Sequence, residues 1–282
     1  MNSSNTNYEF YRVLDKAGVD DYVKLFRAVY GYDKKLSYLY LRWLYEGNPC
    51  GRAVGFDAFF DGELIAHYVL VPRTYQLNEV KLSALLSVNT ATHLAHQRKG
   101  LFIKLANLAY ESAANAGFEF VLGVANQNSI HGFTTKLGFA NLGQVRLAIC
   151  KDFELAHNNV ISMAITEDWL RWRISNPSVV YSKRDLVCGR AQIFAKRKGV
   201  NFLLGNFSSE LLKKIDKDLL SQKLPFTPYL RPYFPVERKI SLNLPARLQS
   251  SPWHVIAKPL STKIDIYTLS TIQIRGLDMD TF

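Results

Sequence analysis

Asn89-Thr90-Ala91-Thr92-His93-Leu94-Ala95-His96-Gln97-Arg98-Lys99-Gly100-Leu101-Phe102 is the stretch on which the reading turns. A strand pattern over 82–92 closes, a polar and basic loop follows, and an amphipathic helix opens at once. A helix start presents backbone N–H groups without intrahelical partners and the positive end of the dipole, so an anion fits there. Gly100 lets the backbone come close to that anion, and Arg98 and Lys99 add charge at its edge. The ligand this pattern expects is a phosphate or pyrophosphate. Two common phosphate loops are excluded. A Walker loop needs a Gly-x-x-x-x-Gly-Lys-Ser/Thr string, which is absent, and a dinucleotide fingerprint needs three glycines where only Gly100 stands.

Outward from this stretch, strand and helix patterns alternate. Residues 8–14 read as a strand, and 20–30 and 36–45 as helices with Asp20 and Ser37 near their starts. Strands follow at 53–60 and 64–71, separated by the hairpin signal Asp61-Gly62, with Pro72 and Arg73 expected to end the second. After the helix at 101–116, stopped by Gly117, come a strand at 118–124, a short helix at 128–137 ending at Gly138, and a strand at 139–150. The order β-α-α-β-β-β-α-β-α-β predicts a mixed α/β layer.

The second half echoes the first. Leu41-Arg42-Trp43 with Asn48-Pro49 is matched by Leu170-Arg171-Trp172 with Asn176-Pro177, and each is followed by strand, turn and strand, the second turn being Lys198-Gly199. Similarity at domain-sized spacing suggests duplication; the competing explanation is that Asn-Pro is simply a good helix stop. The joint falls at 154–168, giving units 1–152 and 153–282. No glycine-bearing loop stands in the second unit where 97–102 would map.

Composition bounds the function classes. With 48% hydrophobic and 21% charged residues over 282 positions, the chain is globular rather than disordered. Cys50, Cys150 and Cys188 are an odd, scattered set without a CxxC pair, read as structural cysteines of a reducing, cytoplasmic protein. No signal peptide or 18-residue apolar run is visible, so no membrane span is expected. The net charge of +11 is uneven: residues 1–152 hold 16 Lys/Arg against 13 Asp/Glu, and 153–282 hold 19 against 11. The densest run, Lys196-Arg197-Lys198, reads as a turn, and without a nucleic-acid motif the excess reads as solvated surface rather than a nucleic-acid site.

A second block about 40 residues on, Val124-Ala125-Asn126-Gln127-Asn128-Ser129 leading through Phe133 to Lys136-Leu137-Gly138-Phe139, sharpens the picture. With Gln97 and Gly100 it resembles the GNAT acetyltransferase family, in family order and spacing, over residues 8–150. Phe102 departs from the family's Gly or Ala. The resemblance implies a mixed, mostly antiparallel sheet splayed between strands 4 and 5 and flanked by helices, followed by a degenerate GNAT-like unit. It also implies acetyl-CoA as co-substrate, with no metal: backbone groups near Thr90 and Thr92 would bond its amides, and Gln97, Arg98, Lys99, Gly100, Leu101 and Phe102 would hold the pyrophosphate, with Asn126 close to the thiol.

A direct acetyl transfer to an amine needs a base, donors for the oxyanion and often an acid. The family's usual Tyr acid position holds Thr134 here, leaving Asn126 and Ser129 as polar candidates near the thiol. His67 is the first candidate base, on a strand face with Ile65 and Val69; the alternative is a hydrogen-bonded strand histidine. His93 is second, and the His93/His96 pair lacks the helix pattern and carboxylate of a metal site. The expected acceptor is a small primary amine, with an anionic, nucleotide-linked amino sugar suiting a basic second half and Arg171 and Arg173 facing it. A non-catalytic acyl-CoA-binding protein, or acyl transfer to a peptide or protein amine, remain the alternatives.

Overall fold

The computed structural model describes residues 7–149, 159–186, 189–197, 199–215, 220, 229–234, 242–243 and 252–279. Cys150, Cys188, Lys198 and residues 154–158 of the joint expected at 154–168 lie outside these residues. In chain order the first half runs β1 (Glu9–Arg12), α1 (Val19–Tyr30), α2 (Tyr38–Tyr45), β2 (Val54–Phe60), β3 (Glu63–Leu77), β4 (Val80–Thr92), α3 (Leu101–Asn115), β5 (Phe120–Ala125) and β6 (Ala140–Ile149). The second half adds β7 (Ile161–Met163), α4 (Glu167–Ile174), β8 (Tyr181–Asp185), β9 (Arg190–Arg197), β10 (Val200–Ser208), α5 (Ser209–Lys213), β11 (Tyr229–Tyr233), β12 (Leu242–Asn243), β13 (Trp253–Pro259) and α6 (Ile266–Leu269).

The hairpin signal is realised: Asp61 and Gly62 both take positive φ, 50° and 80°, and join β2 to β3. Pro72 does not end β3, which continues to Leu77. Pairing with β2 stops at Leu70, whereas β4 pairs with β3 through Pro72 and beyond. The Pro72 carbonyl points away from β4 to the Asn48 side-chain amide at 2.8 Å. A strand residue's nitrogen faces the same way as its own carbonyl, so the missing N–H costs no ladder bond. The space beside the rest of β3 is taken by β7, with Tyr75 opposite Met163. The helix expected at 128–137 is a short, irregular one that widens into a π-type turn at Gly132–Lys136.

The strands form one continuous path, β1-β2-β3-β4-β5-β13-β6-β11-β10-β9-β8. Apart from β1, it has the same sense from both ends. β2, β3 and β4 are antiparallel neighbours followed by parallel β5, just as β8, β9 and β10 are followed by parallel β11. In the middle each half lends its last long strand to the other. β13 lies between β5 and β6, and β6 lies beside β11. The sheet of the first half is therefore completed by residues 253–259.

Two cores pack on the two faces. Beneath α3, the residues Leu101, Leu105, Ala109 and Ala113, one turn apart, bury against Tyr68, Val121 and Ile256. The other face carries α1, α2 and the second half in one larger core, with Tyr22, Phe26, Tyr45, Val69, Trp169 and Leu277 among its members.

β4 and β5 pair only from Ala84/Phe120 to Ser87/Gly123, and then part. Two causes are visible. β4 has one extra residue opposite Tyr68, because His67 pairs with Ala91 while Val69 pairs with Val88, and Asn89 within this bulge takes φ of 45°. β5 is meanwhile held by β13 along its whole length, from Phe120 to Ala125. The matching gap between β10 and β11 is filled by the chain itself. Gly276 sits so tightly there that a Cβ would stand 2.9 Å from both Leu204 and Pro232.

Candidate active site

The V between β4 and β5 opens on the loop quoted at the outset. A 3-10 turn at Leu94–His96 is capped by His93, and Gln97 returns its side-chain amide to the Thr92 carbonyl at 3.2 Å. Arg98 and Gly100 adopt φ of 60° and 77°, turning the chain sharply into α3, where Gly100 is the N-cap without a side-chain cap bond. The N–H groups of Leu101, Phe102 and Ile103 have no intrahelical acceptor and face the loop mouth. A cleft of about 520 Å³ here is lined by Tyr30, Thr90, Thr92, Gln97, Gly100 and Phe102, with Asn128 and Lys136 also on its wall.

Phe102 stands where the resemblance expects a small residue. Its ring meets Tyr68 and Phe133 edge-on at 5.9 and 5.5 Å and lies against Gly132. The bulk is absorbed into the core beneath α3, leaving the backbone amides of the turn open. The Thr90 hydroxyl is buried with no partner among the described residues. A buried orphan hydroxyl at the parting of two strands, beside free helix amides and the exposed cations Arg98 and Lys99, fits a ligand bearing both amides and phosphates.

On the opposite face of β3 and β4 lies a closed polar chain. His67 is fully buried; its Nδ1 contacts Asp57 Oδ1 at 2.6 Å and its Nε2 contacts the Tyr45 hydroxyl at 3.1 Å. Tyr22 donates to Asp57 Oδ2 at 2.8 Å and accepts from the Leu14 N–H at 2.8 Å. Asn89 Nδ2 donates to Tyr45 at 3.3 Å. Burial, followed by the Asp57 charge, drives the Tyr22 phenol far above its ordinary value, so it stays a proton donor. Among the described residues, the His67 side chain is linked to the bulge residue Asn89 through Tyr45.

Asn126 and Ser129 come together at the end of β5, but they bond each other. The Ser129 hydroxyl meets the Asn126 side chain at 3.2 Å, and Asn126 Oδ1 also accepts from the N–H groups of Asn128 and Ser129. Thr134 donates its hydroxyl to the Ile130 carbonyl at 2.9 Å. His93 and His96 lie 6.0 Å apart, and among the described residues no three His, Cys, Asp or Glu side chains gather as a metal site. His96 accepts or donates at Nδ1 with Tyr8 at 3.1 Å, and burial, then Lys99 and His93, hold it below the ordinary histidine pKa.

Arg173 does not face a cleft. It is buried, spans the Trp43 ring at 5.6 Å and donates to the carbonyls of Leu277 and Met279 at 2.8 Å. Arg171 pairs with Glu167 at 2.7 Å and with the Lys214 carbonyl. Alternation on the strand indicates His67, but it does not pick out Asp57, Tyr45, Asn89 or Tyr30. Asp57 carries a signal of its own, as a lone carboxylate inside the apolar strand Val54–Phe60.

A pair of parallel strands parting around a bulge, with a glycine-capped helix start at the mouth of the V, is the arrangement that the resemblance to GNAT acetyltransferases implies. Residues 10–141, just under half of the chain, match the family model described as acetyltransferase (GNAT) domain. Three solved structures extend the likeness across both halves. One is a conserved protein of unknown function from Enterococcus faecalis, described as a probable N-acyltransferase. It is 8% identical with a TM-score of 0.61, over 90% of this chain and 73% of that one. GCN5-related N-acetyltransferases from Kribbella flavida and Anabaena variabilis give 7% identity and TM-scores of 0.60 and 0.56. They cover 91% and 90% of this chain, and 72% and 73% of theirs. At such identity the likeness is one of fold. No curated protein matches the chain. No described helix is long and apolar enough to cross a membrane.

Proposed function

We propose that the chain moves an acetyl group from acetyl-CoA to the primary amine of a small molecule. In balance, the amine nitrogen gains a bond to the acetyl carbon, the carbon–sulfur bond breaks with its electron pair on sulfur, and a proton passes from nitrogen to sulfur. Acetyl-CoA supplies the activated acyl thioester. The observation that carries the reading is the orphaned Thr90 hydroxyl at the parting of β4 and β5, beside the unpaired amides of Leu101 to Ile103.

In this reading residues 1–152 carry the donor and 153–282 shape the acceptor side, in a cytoplasmic enzyme. Thr90 and Thr92 offer backbone groups along β4, Gln97 to Phe102 hold phosphate oxygens, and Asn126 and Ser129 stand on the β5 side. His67 acts as the base or holds the groups that do. The excess of positive charge in the second half supports an anionic acceptor such as a nucleotide-linked amino sugar.

Two measurements test it together: calorimetric titration with coenzyme A, and release of free thiol from acetyl-CoA with an amine panel of glucosamine, glucosamine 6-phosphate, spermidine and an Ala-Lys dipeptide. Binding with turnover of a small amine supports the proposal. Binding without any turnover favours a non-catalytic acyl-CoA-binding protein, a reading that draws on the occupied Thr134 hydroxyl. Turnover of the dipeptide alone favours a peptide acceptor.

A further inference from the structure

The bulge residues Asn89 and Thr90 are held by two tyrosines, each the last residue of its helix. Tyr30 of α1 donates its hydroxyl to the Thr90 carbonyl, and Tyr45 of α2 accepts from Asn89 Nδ2. Tyr45 is fully buried, and the groups behind it set its proton. The Asp57 carboxylate can only accept, so His67 Nδ1 and the Tyr22 hydroxyl both donate to it. With His67 as the neutral tautomer that carries its hydrogen on Nδ1, Nε2 accepts a hydrogen bond from the Tyr45 hydroxyl, which leaves the Tyr45 oxygen to accept from Asn89. Only the NH₂ end of the Asn89 amide can make that bond. The amide's orientation is thus dictated from Asp57, three side chains away.

Asn89 Oδ1 is consequently turned away from Tyr45. It has no protein partner among the described residues, and Asn89 is half-buried just past Ser87, where the pairing of β4 with β5 ends. An oriented acceptor atom at the parting of the strands is suited to an N–H donor. Being neutral, it holds an amine without adding the carboxylate charge that would strengthen the amine's grip on its proton.

We propose that Asn89 Oδ1 receives the N–H of the acceptor's primary amine, with Tyr45, His67 and Asp57 as positioning residues that keep the amide oxygen turned away from Tyr45. The proposal rests on the acetyl-transfer reading above and deepens it. It gives His67 a role that its complete burial allows.

The test is steady-state kinetics with acetyl-CoA and the best amine of the panel above. Asn89→Gly keeps a residue that accepts φ of 45°, so the bulge survives the loss of the side chain. Its KM for the amine rises about tenfold while the KM for acetyl-CoA stays within about twofold. Tyr45→Phe releases the amide to flip and raises the amine KM about threefold, and the double variant is no worse than Asn89→Gly alone, because both changes act on one atom. A purely structural role would lower the melting temperature and leave the ratio of the two KM values unmoved. An unchanged amine KM in Asn89→Gly, or additive effects in the double variant, overturns the proposal while acetyl transfer stands. A wild-type chain that binds coenzyme A yet acetylates none of the amines removes the acetyl-transfer reading, and this proposal with it.

Discussion

Trp43 and Trp172 lie face to face, ring centroids 4.6 Å apart and planes 13° from parallel, and each indole N–H donates to the other's backbone carbonyl, at 2.8 and 3.0 Å. The two tryptophans are the matched residues of the repeated Leu-Arg-Trp segment, on α2 and α4. Reciprocal bonds between equivalent atoms are what a two-fold relation between two units produces. Arg73 over Trp172 at 5.1 Å and Arg173 over Trp43 at 5.6 Å close the stack on either side. The centre of the molecule is thus an interface between its halves, as the exchange of β6 and β13 also makes it.

Replacing Trp172 by Phe keeps a ring but loses one indole donor and part of the stacked area. We predict a loss of about 1–2 kcal/mol in urea unfolding. The pair Trp43→Phe and Trp172→Phe should cost less than the sum of the singles, since both act on one contact. Strict additivity would show that the stack does not couple the halves.

Gly276 wedges the C-terminal segment between Leu204 and Pro232, and a Cβ would also come within 3.1 Å of the Leu204 backbone. Backbone cannot give way as a side-chain tip does. Gly276→Val should therefore destabilise by about 1–3 kcal/mol, with coenzyme A affinity unchanged because the cleft proposed for it opens between β4 and β5. Thermal unfolding and calorimetry read the two quantities separately. A variant as stable as the parent would mean that the segment is not seated there.

A Cβ added at Gly100 would have no neighbour within 4 Å, so a substitution there meets only its own φ of 77°. Gly100→Ala should cost about 1 kcal/mol in stability and weaken coenzyme A binding by distorting the turn that aims the Leu101 to Ile103 amides. Titration of the variant against the parent decides it; equal affinities would remove this loop from the phosphate site.

His96 lines the cleft at the loop mouth with its pKa held below the ordinary histidine value by burial and by Lys99 and His93; Asp61 acts in the opposite direction. An anion bound beside it raises that pKa, so binding takes up a proton. The sign follows: affinity grows as the pH falls from the bound pKa to the lower free pKa, and levels off below it. His96→Gln should flatten this part of the profile relative to the parent. The comparison between the two proteins cancels the titration of the ligand's own phosphate. Parallel profiles would exclude His96 from the phosphate neighbourhood.

Local rules carried much of the architecture. Asp61-Gly62 announced its hairpin because both residues tolerate positive φ, and Gly100 before an apolar stripe at every fourth position announced the α3 start. The same rules failed at Pro72, whose strand continues because its nitrogen faces away from β4, a direction that depends on which neighbour is present. They also placed Arg173 at a surface that tertiary packing closed.

The glycine-capped turn at 97–102 was legible in the sequence because a helix N-terminus is built from consecutive residues, with no help from the rest of the chain. The polar chain behind the bulge was not. Asp57, His67, Tyr45 and Asn89 come from three strands and a helix, and their order of proton donation exists only once the sheet has brought them together. The exchange of β6 and β13 is of the same kind: pairing between residues 108 to 117 positions apart (Trp253 with Val145, Ala257 with Ala140) follows from which strand edges are left open when two halves fold against each other, and no local pattern records that.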